Sequence, residues 1–398
     1  RDVTFSSLDT VVWKTARALR RLGKRVIVGG AEVLPESDDG IGLVAIDGRP
    51  DKALREALKR LPIGDASDML RWSSRLSHPF HLLQGVAALR RRGAETVLVT
   101  HEFANLRTAR LLAGRAPLVT HVHAVWIDDY PHLARRLLEA DAVATVSDFV
   151  GRALIEVEPQ LDGRTATVRN GVDLEMFPGK AAVEAEEGDA VRAWRRRLHA
   201  VDRPLVVAVG RVAAEKGHHV LAAASRILAE RGHDVVVAVA GDMGGPYARP
   251  GPGRSPLWRE IERLSSGYVE NLRATVAGLP FHLLGKVPLS SVRCLLAAAD
   301  VFVGPSAAPE PCPLPVLEAM AMNLPVVASD GGGFPELVGT AGILVPPGDA
   351  GALADSIETL LASPSERDRL ALAARTQASR HTWDATAAQL VSLAERLS

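Results

Sequence analysis

Four charged residues in the second half of the chain have types and spacings suited to a phosphate-bearing ligand: Arg211, Lys216, Glu310 and Glu318. Arg211 and Lys216 stand in "VVAVGRVAAEKGHHV" (206–220), which reads as a strand, a short loop and the start of a helix. A helix N-terminus presents unsatisfied amides and the positive end of the helix dipole. A guanidinium grips phosphate through two parallel hydrogen bonds, and an ammonium adds a compact charge. The competing reading is a pair of surface cations neutralised by Glu215. Glu310 and Glu318 bracket "PCPLPVL", seven residues long.

Prolines stiffen that bracket. Pro309, Pro311, Pro313 and Pro315 alternate along it, and each lacks a backbone N–H. Proline suits the first turn of a helix, so the spacing predicts a helix from Pro315 or Val316 to about Asn323, ahead of Pro325. Glu318 then falls in the first turn, where the dipole favours an acid by ~0.3–1 kcal/mol. Glu310 sits in the loop and has no such reason to be acidic. A carboxylate accepts hydrogen bonds from neighbouring sugar hydroxyls, and the amides of Cys312, Leu314, Val316 and Leu317 can face an anion between the two acids. Phosphate in the middle with a polyol at each end is the layout of a nucleotide sugar: ribose, diphosphate, hexose.

The elements that must position these residues follow an alternating pattern. "RVIVGG" (25–30), "TVLVT" (96–100), "LVTHV" (118–122) and "AVATVS" (142–147) read as buried strands separated by helical stretches such as "TVVWKTARALRRLG" (10–23). A second series follows with "PLVVAVG" (204–210), "DVVVAVAG" (234–241), "DVFVGPS" (300–306), "LPVVASD" (324–330) and "GILVP" (342–346). Continuous apolar strands alternating with helices predict an α/β protein with parallel sheets covered on both faces. Between the series, residues 178–203 are highly charged and read as a linker with one exposed helix. The chain therefore divides into a domain at 1–177, the linker, a domain at 204–380 and a C-terminal helix at 381–398. Ligands of such sheets bind outside the carboxyl ends of the strands. The Gly/Pro-rich stretch at 241–256 reads as a mobile lid or a long surface connection.

Composition narrows the function classes. The 398 residues carry 47 basic and 47 acidic side chains, so nucleic acid is not an expected partner. The clusters at Arg20-Arg21, Arg90-Arg91-Arg92 and Arg195-Arg196-Arg197 read as solvated helix faces, with an anionic surface as the alternative. Two cysteines, Cys294 and Cys312, make no disulfide framework and suit a reducing, cytoplasmic compartment. No apolar run approaches the ~18 residues of a transmembrane span, and no signal peptide is read. The chain opens at Arg1 without a methionine, which reads as a trimmed form. Abundant Ala, Arg, Gly and Val with little Lys points to a high-GC bacterial source. "DDY" (128–130) is not the D-x-D pair of metal-dependent transferases, and no metal is expected. No G-x-G-x-x-G follows the first strand of either half, which argues against a dinucleotide dehydrogenase.

Taken together, these segments resemble the retaining glycosyltransferases of family 4. "GRVAAEKG" (210–217) is similar to their G-R-x-x-x-x-K-G motif, and "EPCPLPVLE" (310–318) to their E-x7-E motif. "ADAVATVSDF" (140–149), "VRNGVDLEMF" (168–177) and "DGGGFPELV" (330–338) resemble three further segments in the same order. The resemblance covers about 10–390. It implies the GT-B architecture, two Rossmann-like doubly wound parallel-sheet domains with an interdomain cleft, the C-terminal helix crossing back to the first domain. It implies that Arg211 and Lys216 neutralise the diphosphate, Glu310 holds hydroxyls of the donor sugar and Glu318 those of the ribose. Gly285, Lys286 and Val287 would hold the base through their backbone, with Cys312, Pro313, Leu314, Pro315 and Val316 completing the donor site. In the first domain the family places a histidine beside the transferred sugar. His123 in "THVHAVW" matches that context best, with His121 and His101 as further residues on the acceptor side.

Two departures stand out. Many relatives have E-x-F-G-L where this chain has "EPCPL", so Pro313 removes an amide from the donor side. The glycine-rich loop after the first strand has no clear counterpart; "TFSSLDT" (4–10) takes its place, with Ser6 and Ser7 as acceptor-side stand-ins. The expected reaction is retaining transfer of a hexose from a nucleoside-diphosphate sugar, UDP-linked above others, to a polar acceptor such as a small natural product, saccharide or cyclitol. A cell-envelope glycan or lipid is the other acceptor class, with residues 11–25 as a membrane-docking surface. An epimerase, a phosphorylase and a non-catalytic nucleotide-sugar-binding protein are the alternatives.

Overall fold

The computed structural model describes residues 7–24, 26–31, 42–46, 98–100, 106–113, 115–123, 131–243 and 256–397. Ser6, His101, the "DDY" triplet and most of the Gly/Pro-rich loop lie outside the described residues. The chain forms two compact units. The first takes in Arg1–Asn170 and Trp383–Ser398, the second Gly171–Thr382.

The first unit opens with α1 (Ser7–Arg21), followed by β1 (Ile27–Ala31), β2 (Gly42–Ile46), β3 (Leu98–Thr100), α2 (Leu106–Ala113), β4 (Leu118–Val122), α3 (Pro131–Arg136), β5 (Ala142–Thr145), α4 (Asp148–Val157) and β6 (Thr165–Thr167). β1 pairs with β2, and β3-β4-β5-β6 form a second sheet, all parallel. β2 and β6 are strands that the sequence pattern did not show. Thr165–Thr167 is a short edge strand without an apolar run, half-buried throughout.

The second unit continues with α5 (Lys180–Arg197), β7 (Leu205–Val209), α6 (His218–Glu230), β8 (Val236–Ala240), α7 (Pro256–Ser265), α8 (Tyr268–Thr275), β9 (Phe281–Gly285), α9 (Leu289–Ala298), β10 (Val301–Gly304), α10 (Leu314–Ala321), β11 (Val326–Ser329), α11 (Phe334–Val338), β12 (Ile343–Val345), α12 (Ala350–Ala362) and α13 (Pro364–Ala378). Its six strands run parallel in the order β12-β11-β10-β7-β8-β9. The continuous apolar runs are explained by two cores. Leu205, Val207, Val236, Ala238 and Phe302 face one, and Val206, Ala208, Val237, Val239 and Val301 face the other. Successive strand residues point to opposite faces, so a strand covered by helices on both sides must be apolar at every position. β9 is the half-buried edge and reads weakly for the same reason.

The expected boundaries need correction. Residues 178–203 do not form a linker: α5 lies in the second unit, with Val183 and Val191 buried in its core. Arg195 pairs with Asp300 at 2.8 Å, and the same carboxylate accepts the amide of Leu205, which pins the end of α5 beside the start of β7. Residues 171–177 belong to the second unit too, because Val172 and Phe177 are buried in that core. The last helix, α14 (Trp383–Glu395), belongs to the first unit. Leu390 and Leu393 pack with Val119, Ala142, Ala144 and Val168, Arg21 reaches Asp384 at 2.8 Å, and Thr386 Oγ1 donates to the Arg169 carbonyl at 2.7 Å.

Candidate functional site

In the second sheet the chain runs outward through β7, β8 and β9, then returns to the other side of β7 with β10. β7 and β10 are thus the topological switch point. Open α/β sheets bind ligands outside the carboxyl ends of the strands at such a point. Arg211 and Lys216 follow β7; Ser306 and Glu310 follow β10.

After β7 the chain makes one 3-10 turn, Ala214–Lys216, and enters α6 through Gly217. Gly217 has φ +68°, and a Cβ there would lie 1.8 Å from the carbonyl oxygen of Pro305. The absent side chain lets the β7 and β10 loops touch. Ala307 and Ala308 both donate their amides to the carbonyl of Glu215, at 3.0 and 3.1 Å. Lys216 Nζ meets Glu310 Oε2 at 2.6 Å, and Ser306 Oγ donates to Glu310 Oε1. Arg211 pairs with the buried Glu215 at 2.5 Å. The anticipated pairing with Glu215 therefore holds for Arg211, while Lys216 turns to Glu310 instead. The site joins the two sequence motifs across 94 residues.

A second close contact fixes the Glu310 loop from the far side. Gly332, after β11, has φ +62°, and a Cβ there would lie 2.5 Å from both the nitrogen and the oxygen of Glu310. Gly333 then donates its amide to the Glu310 carbonyl at 2.7 Å. A pocket opens between these loops, lined among others by Gly210, Lys216, His218, Ser306, Glu310 and Pro313. His218 is buried beneath it, with Nε2 3.2 Å from the carbonyl of Arg211. Burial lowers its pKa to about 4, so the ring is neutral near pH 7.

The proline-stiffened segment departs from expectation at two points. α10 begins at Leu314 and ends at Ala321, starting one or two residues earlier than anticipated, so no acid occupies its first turn. The helix dipole therefore does not account for the half-buried Glu318. The Val316 amide donates to the carbonyl of Pro313 at 3.1 Å and is committed to the helix rather than to a ligand. Cys312 and Leu314 rest their side chains on the core, and Pro313 and Pro315 line the pocket. Gly285 ends β9, Lys286 is exposed, and Val287 packs on the core.

In the first unit, His121 is buried. It is a β4 side chain 1% exposed, its Nε2 3.0 Å from the carbonyl of Val168. Burial lowers its pKa to about 4. His123, just past the end of β4 and half-buried, holds its ring centroid 4.2 Å from that of His121, the two planes tilted by 51°. Ser7 is the first residue of α1.

Sequence reasoning missed Ser306 and His218 as members of the site. Each stood in a quoted motif: Ser306 at a strand end, His218 two residues after Lys216. Their roles depend on which loops touch. Among the described residues no group of three or more His, Cys, Asp and Glu is arranged to hold a metal ion, and no helix is long and apolar enough to cross a membrane.

At this switch point of a doubly wound α/β sheet, two cations, Arg211 and Lys216, meet two carboxylates, Glu215 and Glu310. Two family models agree: Glycosyltransferase Family 4 matches residues 8–176, and Glycosyl transferases group 1 matches residues 203–363. The chain belongs to the glycosyltransferases of family 4. Among curated proteins it is 31% identical over 270 residues to the alpha-maltose-1-phosphate synthase of Mycolicibacterium smegmatis, covering 65% of this chain and 64% of that protein. It is 34% identical over 202 residues to the alpha-D-kanosaminyltransferase of Streptomyces kanamyceticus, covering 50% of this chain and 47% of that protein. The chain thus spans less than two thirds of the length of these relatives. Among solved structures, Anabaena HepE in complex with UDP-glucose superposes with a TM-score of 0.70 at 20% identity, over 98% of this chain and 96% of that one. The fold is GT-B.

Proposed function

We propose that the protein is a retaining glycosyltransferase that moves a hexose from a nucleoside-diphosphate sugar, UDP-linked, to a hydroxyl of a polar acceptor. The observation that carries this reading is the Lys216–Glu310 contact at the β7/β10 switch point, with Arg211 in the same loop as Lys216. Cations fixed at a developing diphosphate stabilise the leaving group, an effect of ~2.7–4 kcal/mol per donor in comparable sites. Arg211 and Lys216 supply them, Glu310 accepts hydroxyls of the sugar, and Glu318 accepts those of the ribose. The turn at Gly285, Lys286 and Val287 holds the base, and His123 stands on the acceptor side. No step in this scheme needs a metal. Neither Cys294 nor Cys312 forms a disulfide, which suits a cytoplasmic setting.

Calorimetry with UDP and UDP-glucose tests the donor, followed by transfer assays on acceptor pools. Glu310→Ala and Lys216→Ala should each lower kcat/KM by about a hundredfold or more. If no nucleoside diphosphate or nucleotide sugar raises the melting temperature, the reading fails. Turnover that requires inorganic phosphate would make the protein a phosphorylase instead.

A further inference from the structure

Both carboxylate oxygens of Glu310 already meet a donor from the protein. Ser306 Oγ donates to Oε1, and Lys216 Nζ donates to Oε2 at 2.6 Å. The two donors differ in freedom. Lys216 carries a charge that a diphosphate attracts, on a flexible four-carbon stem. Ser306 is 3% exposed, lies two residues past the end of β10, and has a hydroxyl on a single rotatable bond. When Lys216 turns to an anion, Ser306 remains. The Glu310 backbone is likewise held, by the Gly333 amide at 2.7 Å and the close approach of Gly332. An ionised carboxylate has about four acceptor sites. With Ser306 on Oε1, at least one site on each oxygen is left for a ligand, which matches two neighbouring hydroxyls.

We infer that Ser306 is the positioning residue for Glu310. Its hydroxyl fixes the carboxylate plane, so that two adjacent hydroxyls of the donor hexose are accepted together once Lys216 has moved to the diphosphate. This rests on the reading of Glu310 as the sugar clamp.

The test uses the full chain with Ser306→Ala, Glu310→Ala and the double variant. Calorimetry should show Ser306→Ala weakening UDP-glucose by about tenfold, the effect of one hydrogen bond to a charged group, with UDP weakened by about twofold at most. Adding Ser306→Ala to Glu310→Ala should weaken UDP-glucose no further. Equal weakening of UDP and UDP-glucose, or losses that add, would overturn the inference. Melting temperatures of the four proteins give a readout independent of ligand. Ser306→Ala should lower the melting temperature less in the Glu310→Ala background than in the parent, and equal shifts in both backgrounds would also overturn it. If the shifts are non-additive while neither ligand binds the parent, the Ser306–Glu310 link stands and the nucleotide-sugar reading falls.

Discussion

At the scale of single residues, the site depends on groups whose charge state is set by burial. His218 under the Arg211 carbonyl and His121 under Val168 are both buried, and burial lowers each pKa from 6.5 to about 4. Between those values the unfolded chain binds protons that the folded one excludes. Stability is therefore fully present above pH 6.5 and is lost as pH falls toward 4. Each histidine contributes up to about 3 kcal/mol to that loss. Urea midpoints measured across this range should fall with pH, and His218→Gln or His121→Gln should flatten the slope. A slope unchanged in both variants would show that other groups carry it.

At the scale of elements, three loops meet at the carboxyl ends of β7, β10 and β11, and glycine lets them meet. Gly332→Ala would place a Cβ 2.5 Å from the Glu310 backbone at φ +62°. The loop must shift to admit it. We expect a loss of about 1–3 kcal/mol in stability and a larger fractional loss in transfer than in UDP affinity, since Glu310 moves and Arg211 does not. Denaturant unfolding and paired calorimetry check this. Unfolding free energy and transfer rate equal to those of the parent would show that the contact is dispensable.

At the scale of the whole molecule, the chain leaves the first unit after Asn170 and returns to it at Trp383. α14 thus completes a core built from strands more than 200 residues away in sequence. Leu390→Ala and Leu393→Ala should each destabilise the first unit by about 2–5 kcal/mol. UDP affinity should hold, because the cations and acids proposed to bind it lie in the second unit. A melting transition that splits into two, with the UDP-sensitive one unmoved, is the expected calorimetric result; a UDP-sensitive transition that falls equally would show that the units unfold as one.

Much of the protein was legible in one dimension. Strands covered on both faces must be apolar at every position, so β4, β7, β8, β10 and β11 announced themselves within a residue or two. β2, β6 and β9 did not, two of them being sheet edges with little apolar demand. Arg211, Lys216, Glu310 and Glu318 were legible as charges suited to a ligand, and of the four Glu310 had no local reason to be acidic. Which charge meets which was not. Local spacing favoured Glu215 as the partner of both cations, but the β10 loop, brought against Gly217, delivers Glu310 to Lys216. The role of Ser306, the burial of His121 and the assignment of α5 to the second unit have the same origin. Each is decided by which distant segment packs alongside, and the sequence by itself carries residue types and periods, not the neighbours that burial and hydrogen bonding select.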